Sequence, residues 1–174
     1  KRGFKVLGID LDNQGNLTQG MNREGNRYTV YDLIASEKEA QEVVEGDFIA
    51  SNEKTALLTK SITATSLKEA LKPMLKAYGY IIIDTPPHLD LLTIAGLVAS
   101  SEVVITCTPS TYSINGIAQT MGAIESAKAV NKGIKPMGVL FTLYNDRRVM
   151  HRQLRQAIIK QASASSVSVF DTTI

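Results

Sequence analysis

The sequence has 174 residues, of which 44% are hydrophobic and 21% are charged, and its formal net charge is +2. This length and composition predict one globular domain over residues 1–174 with a sizeable core, and they exclude a low-complexity or disordered chain. The small net charge excludes a strongly basic overall field, although it leaves nucleic-acid and membrane partners open.

The single cysteine, Cys107, excludes an internal disulfide bond and is typical of a reducing compartment. No apolar run approaches the ~20 residues that a membrane-spanning helix needs. The N-terminal residues also lack the apolar segment of a secretion signal. We therefore expect a cytoplasmic protein that makes no membrane contact.

The first predicted element is an apolar strand over residues 4–9, which ends in a loop of acids, amides and glycine. A short helix over residues 28–34 follows, with Thr29 as its expected N-cap. A polar helix over residues 37–44 and a weak strand over residues 47–50 complete this part of the chain.

A third helix is predicted from Ser66, because Ser66 and Glu69 have the spacing of a capping box. Pro73 should interrupt this helix, since proline removes a backbone donor. The continuous apolar run at residues 80–84 is typical of a strand buried on both faces of a parallel sheet.

The rest of the chain alternates between strands and helices. The strands are expected at residues 103–107, 137–142 and 167–170, and the helices at residues 114–130 and 150–161. This alternation predicts an α/β fold with a mostly parallel sheet flanked by helices.

Acidic side chains follow two of the predicted strands. Asp10 and Asp12 come directly after the first strand, and Asp84 ends the run at residues 80–84. Ligands of open α/β sheets bind at the carboxyl ends of the strands, and Mg²⁺ prefers one or two carboxylates with waters and phosphates. Each acid alone is equally well explained as a cap of a loop or helix, but the pair favours a magnesium site.

The segment after Asp84 supports this interpretation. Thr85 is followed by Pro86 and Pro87, and prolines cannot continue the hydrogen-bond ladder of a strand. The carboxylate should therefore be held at the tip of the strand.

Four segments resemble the deviant-Walker ATPases of the ParA type, which partition plasmids and chromosomes. They are VLGIDLDNQGNLT, TVYDLI, YGYIIIDTPPHLDLLTIAGLVASSEVVI and GVLFTLYNDRR. The resemblance covers nearly the whole chain and implies a P-loop NTPase fold of the deviant-Walker type, with ATP and Mg²⁺ as cofactors.

The resemblance also implies roles for individual residues. Asp12 matches the acid that orients the attacking water, and Asp10 matches the acid near the Mg²⁺ shell. Asp84 matches the Walker B acid, which holds Mg²⁺ through water. Gln14 and Asn16 belong to the same loop as Asp12 and are expected at the nucleotide.

Arg147 matches an arginine that related proteins use for non-specific DNA binding, and an arginine fork contacts phosphate without reading sequence. A solvated surface charge explains Arg147 equally well. The partners implied by the resemblance are a second copy of the chain in an ATP-dependent homodimer, non-specific DNA in the nucleoid, and a ParB-like centromere-binding protein that stimulates hydrolysis.

One family feature does not occur in residues 1–174, namely the Lys-Gly-Gly-x-x-Lys-Thr phosphate loop. The resemblance therefore implies a chain truncated at both ends, without the first strand, the P-loop and the first helix. Since the loop supplies the backbone N–H cradle and the phosphate-binding lysines, we expect residues 1–174 to bind ATP weakly or not at all.

Other functions remain open at this point. One is a non-catalytic remnant that acts only as a binding module. Another is a MinD-like ATPase that positions division sites, although the segments from Gln14 to Asn16 and TVYDLI favour partition. An iron–sulfur carrier is disfavoured, because the sequence has one cysteine.

Overall fold

The computed structural model describes residues 3–35, 38–110, 112–164 and 167–174. The chain divides into two compact units, Lys1–Ser100 (unit 1) and Ser101–Ile174 (unit 2). Each unit contains a parallel three-stranded sheet with helices, as the alternation of elements predicted. The assignment of residues 1–174 to a single domain and the truncation stay predictions.

Unit 1 contains three strands, five α-helices and two 3₁₀ segments among its described residues. In chain order these are β1 (Val6–Asp10), α1 (Asn16–Gly20), α2 (Val30–Ala35), α3 (Ala40–Val43), β2 (Phe48–Ile49), a 3₁₀ segment (Glu53–Lys60), α4 (Ser66–Leu71), a second 3₁₀ segment (Lys72–Lys76), β3 (Tyr80–Asp84) and α5 (Leu91–Ala99).

The sheet of unit 1 has the order β2-β1-β3 with β1 in the centre. One face of this sheet is the core side, where Leu7 and Ile9 of β1 have no exposed surface and lie in one cluster with Leu33 and Leu67. The carboxyl end of β1 is held rigidly, because β1 is the central strand and the buried Leu7 and Ile9 side chains cannot shift without opening voids.

The opposite face of this sheet carries the alternate residues of β1 and β3. A Cβ atom at Gly8 would come within 2.8 Å of the Phe48 ring, so glycine lets Phe48 lie over β1. Tyr80 and Ile82 are 56% and 60% exposed. The expectation that residues 80–84 are buried on both faces is therefore wrong, since the side chains on one face of β3 are exposed.

Two predicted helix caps differ from the structure. The capping box at Ser66 is wrong: Ser66 is the first helical residue, its Oγ accepts the Thr63 N–H, and Glu69 pairs with Lys72. Thr29 precedes α2 as expected, but its N–H and Oγ1 both donate to the Asp32 carboxylate. Short polar side chains have several local partners, so spacing alone did not select the right one.

Two further helix predictions agree with the structure, and one helix was not predicted. The α4 helix ends at Leu71, and the chain continues as a 3₁₀ segment through Pro73, so the predicted interruption is confirmed. The polar helix expected over residues 37–44 is present as α3, while Glu37 lies outside the described residues. The α5 helix was not predicted, because it is apolar on all sides and shows no clear periodicity.

Unit 2 contains β4 (Glu102–Cys107), α6 (Ser113–Ala127), β5 (Lys135–Phe141), α7 (Val149–Ala164) and β6 (Val169–Thr173). Its strands are parallel in the order β4-β5-β6, and Cys107 lies beside Phe141 at the carboxyl ends of β4 and β5. Cys107, Val139 and Phe141 are buried, which accounts for the apolar sequence of these strands.

Candidate functional site

The site in unit 1 is built on the register between β1 and β3. Five consecutive residue pairs align these parallel strands, and the last pair is Asp10 with Asp84. The Leu11 N–H donates to the Asp84 carbonyl oxygen at 2.9 Å, so these two segments of the chain remain hydrogen-bonded just beyond the strand ends. The acids that the sequence placed at two separate strand ends are therefore neighbours.

Asp10 has no exposed surface, and both of its carboxylate oxygens accept hydrogen bonds. Oδ1 accepts the Asp12 N–H at 2.9 Å. Oδ2 accepts the Thr18 N–H and the Thr18 hydroxyl, each at 2.8 Å. A buried carboxylate is tolerated only when it is surrounded by donors in this way.

Asp12 is half-buried, and the loop around it is shaped by its own backbone and side chain. Its Oδ1 accepts the Gln14 N–H at 3.0 Å, and its carbonyl oxygen accepts the Gly15 N–H at 2.9 Å. Gly15 has a φ of 65°, a left-handed conformation that favours glycine. Oδ2 of Asp12 takes no hydrogen bond from residues that the structure describes, so this oxygen is available to a ligand.

Gln14 and Asn16 lie on the same loop and are both exposed. Asn16 is the first residue of α1, and Gly15 precedes it as the N-cap. Both predicted residues are close to Asp12 along the chain, and the structure leaves their side chains accessible to solvent.

Asp84 at the tip of β3 is exposed. Partial desolvation raises the pKa of the Asp84 carboxyl above its ordinary value. The negative charges of Asp10 and Asp12 raise this pKa further, whereas a hydrogen bond from the Thr85 N–H lowers it. Asp10 and Asp12 therefore lie close enough to Asp84 to disfavour its ionised form.

The loop after β3 is anchored by α5. Asp90 caps this helix by accepting the Thr93 N–H at 3.1 Å, and the Thr93 hydroxyl donates to the His88 carbonyl oxygen at 2.6 Å. A Cβ atom at Gly96 would come within 3.0 Å of Thr85 Cγ2, so glycine lets the helix approach this loop closely. The position of Asp84 is thus fixed from both sides of the loop.

The charge distribution of this site fits a divalent cation. Within the described ranges, Asp10, Asp12 and Asp84 make no ion pair with Lys, Arg or His. In the parts of the chain that the structure describes, no three or more His, Cys, Asp or Glu side chains are grouped so that they could hold a metal ion directly. Mg²⁺ suits this arrangement, since it is commonly bound by one or two carboxylates together with waters and phosphates.

Sequence reasoning missed two buried residues, Thr18 and Ser51, which form a hydrogen-bond network next to Asp10. The Thr18 Oγ1 accepts the Ser51 N–H at 2.9 Å while it donates to Asp10. Thr18 is the last residue of the segment VLGIDLDNQGNLT, but the sequence alone does not show its contact with Asp10, which exists only once α1 folds back on β1.

Arg147 lies in unit 2, in the loop between β5 and α7, and it is exposed together with Arg148 and Arg152. The loop is held by Asn145, whose Oδ1 accepts the Arg147 N–H at 3.0 Å. The Asn145 N–H in turn donates to His151 Nδ1 at 3.1 Å. Arg147 and Arg148 thus lie in an ordered loop after β5, and Arg152 lies in the first turn of α7.

Among the residues that the structure describes, no helix is long and apolar enough to span a membrane.

Comparison with known proteins identifies the family. A family model described as an AAA domain matches residues 1–135. The sporulation initiation inhibitor protein Soj of Bacillus subtilis is 31% identical over 172 residues, which cover 91% of this chain and 68% of Soj. The chain belongs to the ParA/Soj-type family of partitioning ATPases.

Two further relatives are similar over most of this chain. An uncharacterized protein of Pseudomonas putida is 34% identical over 157 residues, which cover 82% of this chain and 60% of that protein. The chromosome partitioning protein ParA of Myxococcus xanthus is 27% identical, with 88% of this chain and 59% of that protein covered. The chain spans about 60% of the length of these two relatives.

Solved structures show the same fold. Cobyrinic acid a,c-diamide synthase from Mycobacterium smegmatis with bound ADP and magnesium has a TM-score of 0.84 and 25% identity, with 91% of this chain and 70% of that chain covered. The apo McdA protein of Cyanothece has a TM-score of 0.84 and 24% identity, with 99% and 75% covered. The deviant-Walker α/β fold expected from the sequence is therefore confirmed.

The hydrogen bonds of Asp10 and Asp12 predict unequal effects on stability. Asp10→Ala removes the acceptor of three buried or half-buried donors, and we expect it to lower the free energy of unfolding by about 3 kcal/mol or more. Asp12→Ala removes one exposed contact, so its expected cost is about 1 kcal/mol or less. Urea unfolding followed by circular dichroism measures both, and equal losses would contradict the anchoring role of Asp10.

Proposed function

We propose that the protein is a magnesium-dependent ATPase that partitions DNA, and that this chain supplies its catalytic and metal-binding acids. The observation that carries the proposal is the alignment of Asp10 with Asp84 across β1 and β3, with Asp12 in the adjoining loop. Membership of the ParA/Soj-type family and the magnesium and ADP bound to the structurally similar synthase support it.

Each acid has a distinct proposed role. Asp12, with its free Oδ2, orients the water that attacks the terminal phosphate of ATP. Asp84 holds Mg²⁺ through water, and Asp10 stands next to that cation while it anchors the loop. Bound Mg²⁺ would neutralise charge on the phosphate oxygens, so the protein's part is to position groups rather than to form covalent bonds.

Gln14 and Asn16 are proposed to contact the nucleotide. Their amide side chains are exposed on the loop that carries Asp12. Amides both donate and accept hydrogen bonds, so they can bind phosphate or sugar oxygens without adding charge to an already acidic site.

The ATPase proposal is tested by phosphate release with the protein as its gene encodes it. We expect hydrolysis that requires Mg²⁺ and that falls about 100-fold or more in Asp12→Asn and Asp84→Asn. Asp171→Asn removes the same charge from an exposed strand position of unit 2 and is the control that should keep wild-type activity.

Two results would overturn the ATPase proposal: wild-type protein without magnesium-dependent hydrolysis, or Asp84→Asn with unchanged activity. Calorimetry on residues 1–174 alone measures whether ATP binds to the acids without the phosphate loop. Because this sequence lacks the loop, micromolar ATP affinity of residues 1–174 would contradict the assignment of phosphate binding to that loop.

We further propose that Arg147 binds DNA without sequence preference, which would associate the protein with the nucleoid. Arg147, Arg148 and Arg152 expose three cations near one loop, and exposed guanidinium groups suit phosphate backbones. An ATP-dependent homodimer and a ParB-like centromere-binding partner complete the proposal, supported by the relatives named as chromosome partitioning proteins.

Fluorescence anisotropy with an arbitrary DNA duplex tests the role of Arg147. Arg147→Ala should weaken binding to all duplexes alike and lower the slope of log affinity against log salt by about 1. Lys132→Ala removes the same charge from an exposed position after α6 and should leave the slope unchanged. Equal slopes for wild type and Arg147→Ala would contradict the assignment, and light scattering with and without ATP reports dimerisation in the same preparations.

A further inference from the structure

We propose that Thr18 is a positioning residue, whose hydroxyl fixes the Asp10 carboxylate and thereby holds Asp12 in place for the reaction. This inference rests on the proposed ATPase function, because it assigns the geometry of the proposed water-orienting acid to a residue that does not touch ATP.

The hydrogen-bond directions around Thr18 follow from the chemistry of the groups. The hydroxyl has one proton, and the Asp10 carboxylate can only accept, so the proton points to Asp10 Oδ2 at 2.8 Å. The hydroxyl oxygen then accepts the Ser51 N–H at 2.9 Å. Thr18 is 2% exposed, so water does not compete for these positions.

The carboxylate of Asp10 transmits this constraint to Asp12. Its Oδ2 is held by the N–H and hydroxyl of Thr18, and its Oδ1 receives the Asp12 N–H. Two donors on one oxygen fix the plane of the carboxylate, and that plane sets where the other oxygen meets the Asp12 backbone. Without the Thr18 hydroxyl, Oδ2 keeps one donor and the plane can rotate.

The segment after β2 is ordered by separate contacts, which do not involve Asp10 or Asp12. The Ser51 hydroxyl donates to Thr55 Oγ1 at 2.9 Å, and the Asn52 N–H points to the same oxygen at 3.4 Å. Ser51 and Thr55 are both buried. The Thr18 hydroxyl therefore connects the Asp10 carboxylate at the end of β1 to the Ser51 backbone just after β2.

The test compares three substitutions of closely matched size. Thr18→Val keeps the branched shape and removes the hydroxyl, and Thr18→Ser keeps the hydroxyl. Thr55→Val makes the same chemical change at a buried threonine but leaves the contact between Thr18 and Asp10 in place. Thr18→Cys, whose thiol is a weaker donor, serves as a second variant if Thr18→Val does not fold.

The first readout is amide hydrogen exchange, which needs no activity. In Thr18→Val we expect the Asp12 amide to exchange about 10-fold faster or more, since its acceptor is no longer fixed. The Leu11 amide, which donates to Asp84, should be unchanged. Thr18→Ser and Thr55→Val should match wild type at Asp12, and Thr18→Cys should lie between wild type and Thr18→Val.

The second readout is steady-state ATP hydrolysis by the protein as its gene encodes it. Thr18→Val should lower kcat about 10- to 100-fold with KM changed by less than about 2-fold, because small misplacements of a positioned group affect the chemical step. Thr18→Ser should restore kcat, and Thr55→Val should retain it.

Either of two results would overturn the inference. One is a Thr18→Val protein, or a Thr18→Cys protein in its place, with wild-type exchange at Asp12 and wild-type kcat. The other is a Thr55→Val protein whose Asp12 exchange rate and kcat change as much as those of Thr18→Val, which would show a general loss of stability. If wild type itself hydrolyses no ATP, the proposed function fails, and the exchange rates alone still decide whether Thr18 holds the Asp12 loop.

Discussion

A carboxylate without exposed surface, that of Asp10, is tolerated inside unit 1 because both of its oxygens accept hydrogen bonds, from three donors in all. Two of these donors belong to Thr18, at the start of α1, and one belongs to Asp12, in the loop between β1 and α1. The need to satisfy one buried group therefore fixes the path of the chain from the end of β1 into the first helix.

The same requirement brings negative charge together at the surface of unit 1. The β1 and β3 strands are in register, so Asp84 lies beside Asp10, and the loop that Asp10 organises places Asp12 nearby. Desolvation and the charges of Asp10 and Asp12 raise the pKa of the Asp84 carboxyl, and no lysine or arginine in the described part of the chain pairs with it. This arrangement opposes stability and suits a site that binds a cation, which is a recognised conflict between stability and activity.

The sequence predicted the strands and the acids at their ends well, because buried parallel strands are apolar runs and Asp residues after them are easily recognised. It failed where the result depends on tertiary contacts. The hydroxyl of Ser66 accepts the Thr63 N–H instead of capping the helix, and Tyr80 and Ile82 lie on a face of β3 that is exposed. Thr18 could not be recognised, since its partners Asp10 and Ser51 are 8 and 33 residues away in the chain.

The most direct test of the acidic cluster is a carbon-detected NMR titration of the Asp84 carboxyl group in the protein as its gene encodes it, with and without Mg²⁺ and ADP. Without the cation, Asp84 should titrate above the value of about 3.9 that is ordinary for aspartate, because desolvation and the charges of Asp10 and Asp12 disfavour its ionised form. Adding Mg²⁺ and ADP should lower this pKa, since a nearby positive charge favours the carboxylate. An Asp84 that titrates at the ordinary value and does not respond to Mg²⁺ would contradict the proposed metal site.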